Sequence, residues 1–198
     1  MLTGLGHKLI EVDFSELSSG ICSYYVIAPA ECSSNLSRFD GVKYGYRSEG
    51  EKDIANLYMN TRSDGFGDEV KKRILIGTHV LSAGFYDAYY LQAQKVRRMI
   101  KVKFEDFFKD VDLIFMPTTL DQAFEKNRKS DDPNRMYKED LLTIPANLAG
   151  LPAISFPNGF KNNLPIGGQL IGKYFGEDLL LNTTNKIQEV TDWHKMTP

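Results

Sequence analysis

Two side chains in this sequence have the types and settings to read a small charged ligand: Arg73 and Asp140. Arg73 lies in DEVKKRILIGTHV, with Val70 three residues before it, Ile74 beside it and Gly77 four after it, so on a helix it borders the apolar face. An interior glycine costs a helix about 1 kcal/mol relative to alanine, which makes sense where something must approach closely, and Gly77 marks such a place. Asp140 stands at the entrance to the apolar run of MYKEDLLTIPANLAG, which then passes into closely spaced proline and glycine. A fixed guanidinium and a fixed carboxylate together form the pair that recognises the carboxylate and ammonium of a free α-amino acid. Each residue alone also has a plainer reading. Lys71, Lys72 and Arg73 form a basic run suited to a solvated helix face, and Asp140 serves equally well as a surface carboxylate.

General catalytic devices are missing from the sequence: it has no GxSxG, no Walker-type loop and no HExxH. The GFG at 65–67 is a lone glycine pair, and IGGQLIG at 166–172 reads as a strand whose glycines permit tight packing. Cys22 and Cys32, ten residues apart in a stretch that reads helical, form neither a disulfide framework nor a ligand spacing, which suits a reducing compartment. His7, His79 and His194 are scattered, so no metal is expected. With 24 basic and 26 acidic residues the net charge is -2, and no basic footprint for nucleic acid or an anionic membrane results. Any contact with RNA would come through a partner. No apolar run approaches the roughly 18 residues of a membrane helix.

The elements that must position Arg73 and Asp140 follow from periodicity. A hydrophobic content of 42% supports a real core. KLIEVDF (8–14) reads as a strand, 23–39 as a helix kinked at Pro29, and 41–52 as a surface loop or short hairpin. Helices are predicted over 53–62 and 67–82. Tyr86, Tyr90, Ala93, Val96, Ile100 and Phe104 recur at steps of three and four, which predicts one long amphipathic helix over 84–109. VDLIFMPTT (111–119) reads as a buried strand, 120–134 as an exposed connection, and 134–148 as the helix that carries Asp140. The strand PAISFP (152–157), a turn over 158–165, the strand 166–172 and a helix over 177–190 complete an α/β order with a buried sheet. No repeat or linker interrupts the chain, so a single unit is expected.

Several long phrases carry a resemblance. YYVIAPAECSSNLSRFDGVKYGYR, TRSDGFGDEVKKRILIGTHVLSAGFYDAYYLQAQKVR, DDPNRMYKEDLLTIPANLAGLPAISFPNGF and LPIGGQLIGKYF, followed by TDWHK, are similar in sequence and order to the C-terminal part of the A subunits of aspartyl/glutamyl-tRNA amidotransferases, which belong to the amidase signature family. The resemblance covers nearly the whole chain. It implies an α/β fold, the C-terminal portion of the amidase signature fold, with a mixed sheet flanked by helices and residues 1–198 as one C-terminal segment of an amidase domain.

The resemblance also implies roles. An arginine at the position of Arg73 binds the α-carboxylate of glutamine, an aspartate at that of Asp140 binds its α-ammonium, and a tyrosine at that of Tyr24 lines the same pocket. Charge-assisted hydrogen bonds of this kind contribute roughly 1.5–3 kcal/mol each, enough to select glutamine over a simple amide. The family's nucleophile is a serine activated through a second serine and a lysine, on a Ser/Gly-rich region that precedes the part matched here. No such region occurs in this sequence, and Ser33–Ser34 suits a cap or packing role instead. Leu120, Asn158 and Gly168 depart from the family's usual residues.

The whole enzyme implied is a cytoplasmic bacterial amidotransferase. Its glutaminase supplies ammonia to the B subunit, which uses ATP and Mg to amidate Glu-tRNA(Gln) or Asp-tRNA(Asn); the C subunit is a further partner. This chain would supply glutamine recognition without the Ser/Ser/Lys machinery, no cofactor of its own and no glutaminase activity alone. The alternative is a non-catalytic remnant that only binds the partner subunits. A third reading, a hydrolase of simple amides, leaves the Arg73/Asp140 pair without a purpose.

Overall fold

The computed structural model describes residues 1–50, 52–125 and 139–197. Part of the connection expected at 120–134, and the start of the helix expected at 134–148, therefore lie outside the described residues. The chain divides into two compact units, residues 22–95 and residues 1–21 with 96–198, where a single unit is expected from sequence. No change of composition marks the boundary because the chain crosses it inside two helices rather than in a linker.

In the unit formed by residues 22–95, helix α1 (Gly20–Asn35) enters and runs unbroken across Pro29 in its interior. Asp53 caps α2 (Ile54–Gly65) by accepting the Asn56 amide at 2.9 Å, and α3 (Asp68–Val80) follows after a short break. The loop between α1 and α2 is tied to α2 at Thr61, whose hydroxyl accepts the Ser48 amide at 3.0 Å.

Helices α1 and α3 approach closely. Pro29 is fully buried, and a Cβ built on Gly77 would lie 1.9 Å from the Pro29 carbonyl oxygen and 2.8 Å from the Ser33 Cβ. Only glycine allows the two backbones to meet at that distance. What approaches α3 at Gly77 is therefore another helix. Thr78 donates its hydroxyl to the Ile74 carbonyl at 2.8 Å, so the Ser33 hydroxyl, 2.9 Å from Thr78 Oγ1, acts as donor across the same contact. Ser33 thus has the packing role that its sequence setting suggests.

The stretch expected as one helix over 84–109 is a wide π turn at Tyr86–Tyr90 followed by α4 (Leu91–Asp110). A π turn adds a residue and rotates what precedes it off the stripe. Ala93, Ile100 and Phe104 are accordingly buried, while Tyr86 is exposed.

In the unit of residues 1–21 and 96–198, three strands form an antiparallel sheet in the order β1-β3-β2: β1 (Leu113–Pro117), β2 (Ala153–Lys161) and β3 (Leu164–Gly172). β3 is central and buried from Gly168 to Gly172. β1, expected to be buried, is an edge of the sheet, with Ile114 buried and Phe115 exposed. The broad turn expected over 158–165 contracts to Asn162 and Asn163, both at positive φ (53° and 61°), the two-residue reversal that suits strand twist and that asparagine tolerates. A bulge between Pro157 and Phe160 precedes it, with Gly159 at φ 134°.

Helix α6 (Glu177–Glu189) buries Leu180, Thr183, Thr184 and Ile187, the i, i+3, i+4, i+7 stripe, and Leu180 and Ile187 join Leu170 and Phe156 in one core cluster. Helix α5 (Ile144–Ala149) is short and almost wholly buried. Its last carbonyls are satisfied from outside: Leu148 accepts Arg97 Nε at 3.0 Å and Ala149 accepts the Tyr174 hydroxyl. KLIEVDF does not form the expected strand. Residues 7–14 take no regular structure: among the described residues no strand pairs with them, and β-propensity alone does not hold a segment extended in a sheet.

The α1–α3 contact makes a direct prediction. Gly77→Ala gains helix propensity worth up to about 1 kcal/mol, yet its methyl would collide with backbone that cannot swing aside, and overpacking of this kind costs about 1–3 kcal/mol. A net loss of stability is expected in urea unfolding of the chain. An unchanged or higher midpoint would show that the helices do not meet so closely.

Candidate functional site

Arg73 and Tyr24 both lie in the unit of residues 22–95, and the structure brings them together. Arg73 sits one turn before Gly77 on α3, and Tyr24 sits on α1, so the backbone contact at Gly77 and Pro29 sets the spacing of the helices that carry them. Tyr24 lies near enough to Arg73 to favour its charge, and the Arg73 Nε donates to Glu69 Oε1 at 3.0 Å. Its side chain is 34% exposed and that of Glu69 59%. The group is thus half-covered on one flank and open on the other, as expected of a residue bordering an apolar face rather than standing on a solvated one.

The order of charges along α3 favours this arrangement. Asp68 and Glu69 occupy the first turn, where the helix dipole favours negative charge, and Glu69 precedes Arg73 by four residues, the better orientation for such a pair. Glu69 chiefly, with help from Tyr24, raises the Arg73 pKa above its ordinary value, against an opposing contribution from partial burial. The guanidinium is therefore charged at neutral pH, as arginine normally is. With Nε directed at Glu69, the two terminal nitrogens carry four N–H donors in a planar fork, the geometry that fits a carboxylate. Lys71, by contrast, pairs with Asp68 at 3.6 Å.

Asp140 belongs to the other unit. The sequence predicts it on a helix, whereas it stands at the head of a turn leading into α5. Its carbonyl accepts three bonds from that turn: Thr143 N at 3.2 Å, Ile144 N at 3.0 Å and the Thr143 hydroxyl at 3.2 Å. Pro145 in the first turn of α5 lacks the N–H that a continuing helix would use, which explains why a helical reading of 134–148 breaks here. The side chain is half-buried, and Leu142, two residues on, is held by the amide of Gln169 at 2.9 Å.

Sequence reasoning overlooks two contributors. Glu69 is signalled by its i, i+4 spacing to Arg73. Gln169 is signalled as the one amide in a run of glycine and aliphatic residues. Among the described residues no group of three or more His, Cys, Asp or Glu side chains is arranged to hold a metal, and no helix is long and apolar enough to cross a membrane. Cys22 and Cys32 are free thiols.

The sequence profile of the Amidase family matches residues 1–181. The glutamyl-tRNA(Gln) amidotransferase A subunit of Hahella chejuensis is 58% identical over 194 residues, 98% of this chain and 40% of that protein. A solved structure of the protein of the same name from Thermotoga maritima is 41% identical and superposes with a TM-score of 0.63 over 90% of this chain and 34% of that one. A 6-aminohexanoate cyclic dimer hydrolase, 19% identical, shares the fold with a TM-score of 0.66 over 100% of this chain and 40% of that one. The α/β arrangement is therefore the amidase signature fold, and the chain spans about 40% of the length of the curated relatives it matches. By profile, sequence and fold alike, this chain belongs to the amidase family.

Proposed function

We propose that this chain is the glutamine-recognition part of a glutamyl-tRNA(Gln) amidotransferase A subunit. The observation that supports this most directly is the Arg73 guanidinium, oriented by Glu69 and Tyr24 at a helix contact that has no side-chain slack. Arg73 takes the α-carboxylate of glutamine through its terminal nitrogens, Asp140 takes the α-ammonium, and the Tyr24 hydroxyl bounds the pocket. Selection for a zwitterion follows, because a simple amide would leave both charges without partners.

The chemistry then falls to the family's serine, second serine and lysine, supplied by the part of the fold that this chain does not match. The serine oxygen adds to the side-chain amide carbon, the C–N bond breaks, and the nitrogen leaves as ammonia after taking a proton relayed by the serine and lysine. Water releases glutamate from the ester. Ammonia passes to the B subunit, whose ATP- and Mg-dependent activation of Glu-tRNA(Gln) is outside this chain's work, and the assembly is completed by the C subunit. The reaction would take place in the bacterial cytoplasm.

The test joins this chain to the part of the Hahella chejuensis relative that it does not match, with that organism's other subunits present. Ammonia release from glutamine is expected from the assembly and none from the chain alone. An assembly that forms with its partners but releases no ammonia would favour the reading as a partner-binding remnant. In the active assembly, Arg73→Ala is expected to lower kcat/KM for glutamine about 10- to 150-fold, the worth of one charge-assisted contact, mainly through KM. Arg73→Lys keeps the charge but not the fork, so partial loss is expected. An unchanged KM in Arg73→Ala would remove Arg73 from the site.

A further inference from the structure

We infer that Gln169 is a positioning residue for Asp140, and through it for discrimination between an α-amino acid amide and the same amide without its amino group. The inference rests on the role proposed for Asp140 above. It begins with an oddity of the central strand. Gln169 is only 3% exposed, between Gly168 and Leu170, in the strand that is paired on both sides. A primary amide has no reason to lie in such a place unless its donors and acceptor are used, because burying it unpaired costs far more than an aliphatic residue of the same length.

Its donors are used, and on two different elements. Nε2 donates to the Pro117 carbonyl at the end of β1 at 3.1 Å and to the Leu142 carbonyl at 2.9 Å. One side chain thus joins the end of an edge strand to the turn that begins at Asp140. The same corner is drawn tight by Thr118, whose amide donates to the Gly167 carbonyl at 3.0 Å and whose hydroxyl lies 2.9 Å from that of Ser155. A Cβ on Gly167 would meet Thr118 Oγ1 at 2.8 Å, so this end of β1 is held against β3 without room to shift. Among the described residues, hydrogen bonds act on the turn from two directions. Its forward anchor is the set of bonds from Thr143 and Ile144 to the Asp140 carbonyl, which fixes the backbone of Asp140 against α5. Its lateral anchor is Gln169, which fixes the same turn against the sheet. The forward anchor acts along the chain and the lateral one across it, so the Gln169 bond helps set where the carboxylate is presented.

The experiment compares kcat/KM for glutamine with that for the monoamide of glutaric acid, which is glutamine without its α-amino group, in the assembled enzyme described above. The ratio of the two reads the ammonium contact. A variant that is merely less stable lowers the amount of active enzyme for both substrates and leaves the ratio unchanged. Gln169→Met, which keeps length and volume but has no donors, is expected to reduce the ratio about tenfold, largely through KM for glutamine. Gln169→Glu, which sets acceptors against two carbonyl oxygens, is expected to reduce it at least as much. Asp140→Asn serves as the reference. If wild type shows no preference for glutamine, or if Asp140→Asn leaves the preference intact, the role of Asp140 is wrong and the inference falls with it. If Asp140→Asn abolishes the preference while both Gln169 variants retain it, the role of Asp140 stands and that of Gln169 is overturned.

Discussion

The approach of two helix backbones at Gly77 and Pro29 is the constraint on which the rest of the arginine environment depends. Side chains at a helix contact usually hold the axes some 8–10 Å apart and can adjust by changing rotamer. Here a backbone carbonyl occupies the place of a Cβ, so rotamer changes cannot provide that adjustment. Pro29 contributes from the other side, since its ring removes a donor from the ladder of α1. The Ser33–Thr78 hydroxyl pair closes the contact with a hydrogen bond. Tyr24 and Arg73 are then neighbours because the backbones that carry them are fixed, and their interaction confirms a spacing it does not have to enforce.

In the other unit precision comes from polar pins rather than from close backbone approach. The antiparallel ladder aligns Met116, Gln169 and Ser155 across the three strands, and from that row an amide reaches out to both the end of β1 and the Asp140 turn. The apolar side of the sheet is conventional, with Leu170, Phe156, Leu180 and Ile187 packed together. Asn158 and Gly168 pack as a pair. A Cβ on Gly168 would lie 3.1 Å from the Asn158 Cβ and 2.9 Å from the Phe115 ring, so the glycine leaves space that its two neighbours use.

What the sequence made legible was whatever local chemistry decides. Helices α2, α3 and α6 fall close to their predicted limits because caps, breakers and apolar stripes are written within a few residues of each boundary. The β2–β3 hairpin is of the same kind. What was not legible depends on partners distant in sequence. KLIEVDF has strand composition but, among the described residues, no strand beside it; Asp140 looks helical until Pro145 and Gln169 hold its turn. The π turn at Tyr86–Tyr90 conceals itself because its aromatic residues keep the very spacing that an α-helix would use. The resemblance to amidases named the charged residues. The glutamate and the glutamine that hold two of them had to be seen in space.

Glu69 raises an apparent contradiction, since a carboxylate beside Arg73 competes for the charge that a ligand carboxylate needs. The geometry resolves it. An exposed i, i+4 pair contributes only about 0.2–1 kcal/mol, because water screens both partners. A ligand carboxylate at the terminal nitrogens makes two parallel bonds where Glu69 makes one, and it does so without displacing Glu69 from Nε. The glutamate therefore neutralises little and orients much. An arginine side chain has about 2 kcal/mol of rotamer entropy to lose on ordering, and a contact that fixes the guanidinium beforehand removes part of that loss from the binding step. The same reasoning explains why the contact is made through Nε. A carboxylate paired with both terminal nitrogens would orient the group just as well, but it would occupy the face on which two-point recognition depends, whereas Tyr24 is a single neutral contact there.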